Sequence, residues 1–466
     1  MANTSEETVQ KSSLTKKQLL GYGAGDFGGC MTFALMGSMA TRYYTNVLQV
    51  NTVILAAILL VWNVWDAVND PLVGALMDKI YSKSHNPKGK FRPWLLRSAP
   101  LVCITCIVFW TLPTIFEGAT MLVVLFFTKI LYEGCYTFFN IPMGSLLSAM
   151  AGNDKERSQL SSARGFGSMV GNIIPLVIFP QLLASLGDTP KAYGIGAVVC
   201  AVIGLILCLI HYAWTDEIYI TETSPEDAEK VKMTDIFTVF KKNRAFLALC
   251  IHGFCICMMQ YVMSTLGTYM YSDVLGNIGM MSYATIISMP ISIITLVLVP
   301  KLAEKHELVK VIRGALLIGI ALFMSLFVVM MFVGIPAVLY MVWAGAAQNI
   351  AGVSILMQWG LVGEAIDYNE MVTGKRTEGS IYGTFNLARR LGQSVGNSAA
   401  VLALGWIGYD AALAVQSAFT LAGIKALVVL VPGIFVIGSW AAFKFVWNIN
   451  ADTRAQIAAF KGAHKA

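Results

Sequence analysis

Apolar residues run through this chain in long blocks, and polar residues gather between them. A helix that crosses a bilayer needs about 20 mostly apolar residues. Twelve blocks qualify, at about 19–46, 52–79, 95–114, 119–150, 162–186, 192–214, 245–272, 279–302, 309–333, 336–364, 380–407 and 422–447. Each predicts a spanning helix. The basic residues then suggest an orientation. Connections 2–3, 4–5, 6–7, 8–9 and 10–11 are rich in Lys and Arg, and the first of these holds Lys79, Lys83, Lys88, Lys90, Arg92 and Arg97. The alternate connections are short and nearly free of base, with Lys191 the clearest exception and Arg42 and Lys425 just inside span ends. Both termini are expected on the cytoplasmic side.

Composition supports the membrane class. The chain has 466 residues, 56% of them hydrophobic and only 13% charged, with a mean hydropathy of +0.66. A soluble fold of this length would need about twice that charge to cover its surface. The net charge of +6 therefore speaks of orientation rather than of nucleic acid. The polar start of the chain has no apolar core and is read as a tail rather than a signal peptide. All nine cysteines lie in apolar blocks, so Cys103 and Cys106 are read as buried thiols rather than metal ligands.

The expected organisation is a tail at 1–18, a six-helix half at 19–214, a cytoplasmic linker at 215–244, a second half at 245–447 and a tail at 448–466. An internal repeat supports the split. Ala163-Arg164-Gly165-Phe166-Gly167-Ser168-Met169-Val170-Gly171-Asn172 opens span 5, and Ala388-Arg389-Arg390-Leu391-Gly392-Gln393-Ser394-Val395-Gly396-Asn397 lies in span 11. Tyr44-Thr45-Asn46-Val47-Leu48 ends span 1, and Tyr271-Ser272-Asp273-Val274-Leu275 ends span 7. Both matches join span n to span n+6, as duplication of a six-helix unit predicts. Parallel halves of this kind build secondary transporters that bind their solute near mid-membrane.

Ionisable side chains inside a bilayer are costly and mark function by default. Asn63, Asp66 and Asp70 share one face of span 2, spaced so that the two carboxylates can converge. Two carboxylates and an amide oxygen suit a small hard cation or a proton relay. A helix-locking role, with the carboxylates bonded to nearby hydroxyls or an Arg, is the plainer alternative. Span 4 carries Lys129, Glu133, Tyr136, Thr137, Asn140 and Gly144 on one face. Lys129 and Glu133 could simply neutralise one another. Tyr, Thr and Asn suit hydroxylated solutes, and an aromatic face covers a sugar ring. Arg164, Arg389 and Arg390 supply positive charge, to answer the span 2 carboxylates or an acidic solute. His252 in span 7 is read as a satisfied core residue.

Several stretches together resemble the glycoside–pentoside–hexuronide:cation symporters of the major facilitator superfamily. They are Gly21-Tyr22-Gly23-Ala24-Gly25-Asp26-Phe27-Gly28, Tyr43-Tyr44-Thr45-Asn46, Trp65-Asp66-Ala67-Val68-Asn69-Asp70-Pro71, Gly89-Lys90-Phe91-Arg92-Pro93-Trp94, Asn140-Ile141-Pro142, and Asp367-Tyr368 followed by Glu378-Gly379-Ser380-Ile381-Tyr382. The resemblance covers nearly the whole chain. It implies an all-α membrane protein with twelve transmembrane helices in the major facilitator fold, built as two pseudo-symmetric six-helix halves. By the same resemblance, Asp66 and Asp70 are cation-site carboxylates and Thr137 adds a hydroxyl. Arg164 contacts sugar, Tyr136 lines the site, and Asn386 falls where helix 11 offers an amide. Members that carry melibiose have sugar-binding aspartates where this chain has Cys30 and Asn140. They also have a tryptophan at Gly144, a glycine at Glu133 and a lysine at Leu391, beside Arg390. The run from Asn140 to Leu146 looks more like the glucuronide and plant-glycoside branch.

The expected function is symport of a glycoside, pentoside or hexuronide with a proton or sodium, in the inner membrane of a prokaryote. The expected partners are that sugar, the co-transported H+ or Na+ and membrane lipid, with no nucleic acid and no cofactor, and the working form is a monomer. A facilitator carrying a lipid or drug-like solute shares the fold, but the polar stripe on span 4 argues against an apolar site. A membrane-embedded enzyme would need a nucleophile–base or metal constellation, and the sequence has no such cluster.

Overall fold

A computed structural model describes residues 14–81, 89–151, 154–218, 243–373, 378–413 and 415–465. Among these, twelve long helices follow one another with short connections. They are α1 (Lys16–Arg42), α2 (Thr52–Tyr81), α3 (Arg92–Thr111), α4 (Gly118–Met150), α5 (Asp154–Leu186), α6 (Pro190–Trp214), α7 (Arg244–Tyr269), α8 (Met280–Lys305), α9 (Leu308–Phe332), α10 (Ala337–Thr373), α11 (Glu378–Trp406) and α12 (Ala418–Ala441). A thirteenth, α13 (Ala451–Lys465), occupies most of the segment read as a C-terminal tail. Helices satisfy every backbone group within one segment, which a bilayer demands. Nine of the twelve are long and apolar enough, among the described residues, to cross a membrane. Of the other three, α1 and α11 are interrupted by Gly together with Asp, Asn or Arg, and α2 contributes the apolar stretch Thr52–Trp62 among its described residues.

The helix ends follow from local chemistry. Pro190 opens α6 behind Thr189, whose side chain accepts the Ala192 N–H. Ser417 does the same for α12 through the Thr420 N–H. The helices α1 and α7 both end in a π-helical turn, Tyr43–Val47 and Met270–Val274. In each, the N–H of the next leucine, Leu48 or Leu275, closes on the first carbonyl of the turn at 3.0 Å. These turns hold the second repeated motif of the sequence.

The chain divides into two compact units, residues 1–37, 68–176 and 189–224, and residues 38–67, 177–188 and 225–466. In the first, α3 packs on α4 and α6, around Phe109, Trp110, Tyr132, Phe139 and Tyr193. Trp110 and Tyr193 stack at 5.4 Å. In the second, α7 is central, against α11 and α12, while α9 packs on α10 and α12. Phe246, Tyr269, Leu316, Phe323, Ile424, Val428 and Phe443 fill that core. Val199, Val202, Ile206 and Leu209 of α6 face outward. So apolar an exposed row suits lipid rather than water.

Candidate sugar and cation site

In the first unit α5 lies very close to α1. A methyl group on Gly171 would stand 2.5 Å from the Phe27 carbonyl and 2.9 Å from Cys30 Cβ, and one on Gly167 would overlap the Gly23 backbone. The glycines of the first repeated motif are therefore what lets these helices touch. Their contact brings Arg164 of α5 to Asp26 of α1. Arg164 Nε lies 3.4 Å from Asp26 Oδ1, and the side chains are 36% and 12% exposed. Ser168, one turn on from Arg164, lies beside Asp26 and meets Cys30 Sγ at 3.3 Å. Asn172 donates to the Ser168 carbonyl at 2.7 Å. Tyr22 donates to the Met143 carbonyl at 3.1 Å, and Arg164 also reaches the Tyr22 hydroxyl. Gly144 of α4 leaves room beside the guanidinium: a Cβ there would sit 3.4 Å from Arg164 Nη1.

The predicted α4 face continues this site. Lys129 and Glu133 pair with each other, so the positive and negative charges on that face meet within the helix. Tyr132 donates to Thr32 at 3.1 Å. Tyr136 stacks on Phe33 at 5.2 Å. Asn140, one turn further, is half-buried, and Gly144 follows it toward Arg164. One helix face thus offers, in order, an internal ion pair, an aromatic ring, an amide and an opening beside a guanidinium.

Thr137 is buried and accepts from Asn69 of α2 at 2.7 Å. This bond ties α4 to the turn of α2 that holds Asp70. Asn63, Asp66 and Asp70 fall within α2, but their side chains lie outside the described residues. Asn386 and Arg390 belong to α11 in the second unit, and both are exposed.

The second unit repeats the helix contact with different chemistry. A methyl on Gly392 would overlap the Phe254 carbonyl, and one on Gly396 would lie 3.1 Å from Met258 Cα. Arg389, the counterpart of Arg164, lies over the Trp359 ring at 5.4 Å. It and Gln393 also reach Cys257. Where the first copy has Asp26, the second has Gly253, and a Cβ there would meet Arg389 Cγ at 3.0 Å. His252 is fully buried, its Nδ1 bonded to Ser439 at 2.6 Å and its ring against Phe443.

A further cluster in the second unit joins the two π-helical turns. Arg42 forks onto Asp188, with Nη2 to Oδ2 at 2.6 Å and Nε to Oδ1 at 3.1 Å. It also meets Ser272 at 2.5 Å and Asp273 at 3.4 Å. Thr45 and Tyr269 share a hydrogen bond of 2.7 Å. Asn46 donates to Tyr409 at 3.2 Å. This cluster ties the end of α1 to the α5–α6 turn and the end of α7.

Two carboxylates stand at the starts of helices α3 and α9. Glu217 accepts the backbone N–H groups of Lys90, Phe91 and Arg92 at 2.6–2.8 Å. Glu307, just before α9, meets Lys310 and Arg454 of α13 at 3.3 Å each. Lys310, then Arg454, holds its carboxyl below the usual carboxylate range.

Sequence reasoning assigned no role to Asp26, Ser168 or Asn69. Asp26 and Asn69 lay inside motifs quoted for resemblance, and Ser168 inside the repeat. An intramembrane carboxylate in a glycine-rich helix was a signal in its own right; what pointed to no partner was the distance in sequence to Arg164.

A family profile described as MFS/sugar transport protein matches residues 21–451. The chain is 29% identical over 459 residues to the uncharacterized symporter YjmB of Bacillus subtilis, covering 98% of this chain and 97% of that one. It is 27% identical over 442 residues to the glucuronide carrier protein homolog of Escherichia coli, covering 93% and 92%. A putative sulfoquinovose importer of Escherichia coli is 27% identical over 449 residues, covering 95% and 93%. Among solved structures, the nucleoside transporter NupG superposes with a TM-score of 0.66 at 12% identity, covering 92% of this chain and 100% of that one. A bacterial homolog of the lysosomal transporter Spinster gives 0.66 at 13%, covering 94% and 97%. These two share the major facilitator fold. The chain belongs to the MFS/sugar transport protein family, as a member of the glycoside–pentoside–hexuronide:cation symporter group that its motifs resemble.

Proposed function

We propose that this protein is a secondary active symporter that imports an acidic glycoside or hexuronide together with a proton or sodium ion. The observation that carries the reading is the guanidinium of Arg164, 36% exposed, opening past Gly144 onto the polar face of α4. A planar fork of donors suits a carboxylate or sulfonate bidentately. Asn140 offers one acceptor and two donors to sugar hydroxyls without adding negative charge, and Tyr136 offers a ring face. Relatives named for glucuronide and sulfoquinovose support an acidic sugar.

Asp66 and Asp70, with Asn63, provide the cation site, and the Asn69–Thr137 bond couples it to the sugar face of α4. Sugar and cation binding together favour the occluded state, while either alone leaves it costly. Opening the end held by Arg42, Asp188 and Asp273 requires that cluster to part. The protein resides in the inner membrane with both termini cytoplasmic, as the distribution of Lys and Arg suggests.

The test is uptake into proteoliposomes across a panel of neutral and acidic glycosides, under imposed proton or sodium gradients. Accumulation of an acidic glycoside driven by one gradient is expected. Transport confined to apolar solutes would refute the proposal.

A further inference from the structure

Asp26 is an intramembrane carboxylate that the cation site on α2 does not use. The groups facing it can be named element by element. From α1 itself come Tyr22 and Cys30, and from α5 Arg164 and Ser168. From α4 comes Tyr136, itself influenced by Glu133, which Lys129 pairs. On α6, His211 lies against the neighbouring Gly25, with Nδ1 2.9 Å from the Gly21 carbonyl. Arg164 is the cation that meets the Asp26 carboxylate.

That contact is asymmetric in two ways. Asp26 is met by Nε at 3.4 Å, long against the roughly 2.7–2.9 Å of a good charge-assisted bond. The Nη edge of the same guanidinium looks toward Gly144. The arginine is also three times as exposed as the aspartate. A solute can therefore reach the cation while its present anion stays desolvated.

We propose that Asp26 is a proton acceptor: an acidic sugar takes Arg164 from it, and one proton enters with each substrate anion. The inference rests on the reading of this site as one for an acidic sugar. The substrate carboxylate takes the guanidinium fork, and the single Nε contact to Asp26 is lost. Left buried without its counter-charge, the Asp26 carboxylate binds a proton from water. Arg164 keeps its own protons throughout. The site gains one anion and one proton, so its net charge is unchanged, and two carboxylates never compete for one guanidinium. On release of the sugar anion Arg164 returns to Asp26 and the proton leaves. The α2 carboxylates are not involved in this step.

The test is proton uptake by purified protein in weakly buffered detergent, on titration with 4-nitrophenyl β-D-glucuronide and, in parallel, its neutral glucoside. The wild type should take up about one proton per glucuronide bound and none with the glucoside. Its glucuronide affinity should fall by about tenfold per pH unit in the alkaline range. Asp26→Asn removes the competitor for Arg164, so it should take up no proton and bind the glucuronide with pH-independent affinity. Asp26→Glu keeps a titratable carboxyl and should restore proton uptake. Undiminished uptake in Asp26→Asn would overturn the assignment. So would glucuronide binding to the wild type without any proton, a result that needs no variant to fold. Binding of the glucoside but never of the glucuronide would instead refute the acidic-sugar reading, and the proton proposal with it.

Discussion

The α1–α5 contact and the α7–α11 contact are two copies of one design that have parted in chemistry. Both rest on a pair of glycines one helical turn apart, Gly167 and Gly171 in one and Gly392 and Gly396 in the other, pressed onto a partner backbone. Both keep an arginine one turn before the first glycine, and a cysteine, Cys30 or Cys257, beside the arginine or its neighbour. They differ in what faces that arginine. In the first copy it is Asp26, and the pair is ionic. In the second it is Gly253, and Arg389 lies over Trp359 instead. The buried histidines trade places in the same way. His211 of α6 lies against Gly25 of α1, whereas His252 of α7 lies against Ser439 of α12. The copies teach that backbone approach is the conserved requirement within this molecule, while charge is free to specialise.

Substitution at the shared glycines should have the largest effect. Gly167→Leu and Gly392→Leu should each prevent folding, because a side chain must displace partner backbone rather than a flexible neighbour. The yield of monodisperse protein from membranes checks this. Normal yield of either one would break the idea that both copies share a scaffold.

The specialisation extends to α2 and α8. At the places in α8 that correspond to Asp66 and Asp70 stand Ile293 and Val297, both about half exposed. Asp66→Asn or Asp70→Asn should abolish gradient-driven accumulation while exchange or sugar binding stays measurable. Ile293→Ala and Val297→Ala should leave accumulation within about twofold, as apolar surface substitutions usually do. Uptake by proteoliposomes with and without a gradient reads both. Full accumulation in either aspartate variant would remove the cation site from α2.

The two arginines sharpen the contrast further. Arg164→Ala should weaken binding of an acidic sugar by at least about 100-fold, the loss of a charge-assisted fork of roughly 3 kcal/mol. Arg389→Ala loses a cation–π contact of about 1 kcal/mol and should cost less than about tenfold. Titration with a nitrophenyl glucuronide distinguishes them, and equal losses would mean that the copies have not specialised. On α4, Asn140→Asp places a second negative charge near the fork. It should weaken the glucuronide by about tenfold and the glucoside by only a few-fold. Equal loss on both would put the acidic group elsewhere.

The smallest effect concerns the ends of α3 and α9. The first is capped by Glu217, and Glu307, just before the second, is bridged to α13 through Arg454. The Glu307 carboxyl is held below its ordinary range, first by Lys310 and then by Arg454. A depressed carboxylate stabilises the fold above its unfolded pKa of about 4.3. That contribution is lost as pH falls through the lower folded value. Docking of α13 should therefore be constant from pH 7 to pH 5 and weaken only below about pH 4. Proteolytic release of the C-terminal helix across that range measures it. A transition near neutral pH would point to a different group.

The twelve helices were legible because lipid imposes a long apolar block on each, and the repeat was legible because one residue pattern recurs in spans 5 and 11. The α4 face was legible too, since helical spacing alone puts Lys129, Glu133, Tyr136 and Asn140 on one side. In the structure Glu133 is neutralised within its own helix, an outcome that spacing left open. Helix α13 was hidden because a short, polar helix stands out only once Ile457 finds a core and Arg454 its carboxylates.

By itself, then, the sequence determined the solvent this protein lives in, its twelve long apolar helices, its family and the residue types available for sugar and cation. Those follow from one-dimensional patterns: block length, period and motif. Only the tertiary structure decided which charges meet. Asp26 and Arg164, or Arg42 and Asp188, are separated by more than a hundred residues, and no local pattern pairs them. What joins them is the approach of whole helices, across a glycine face in the case of Asp26 and Arg164, and that approach is a property of packing.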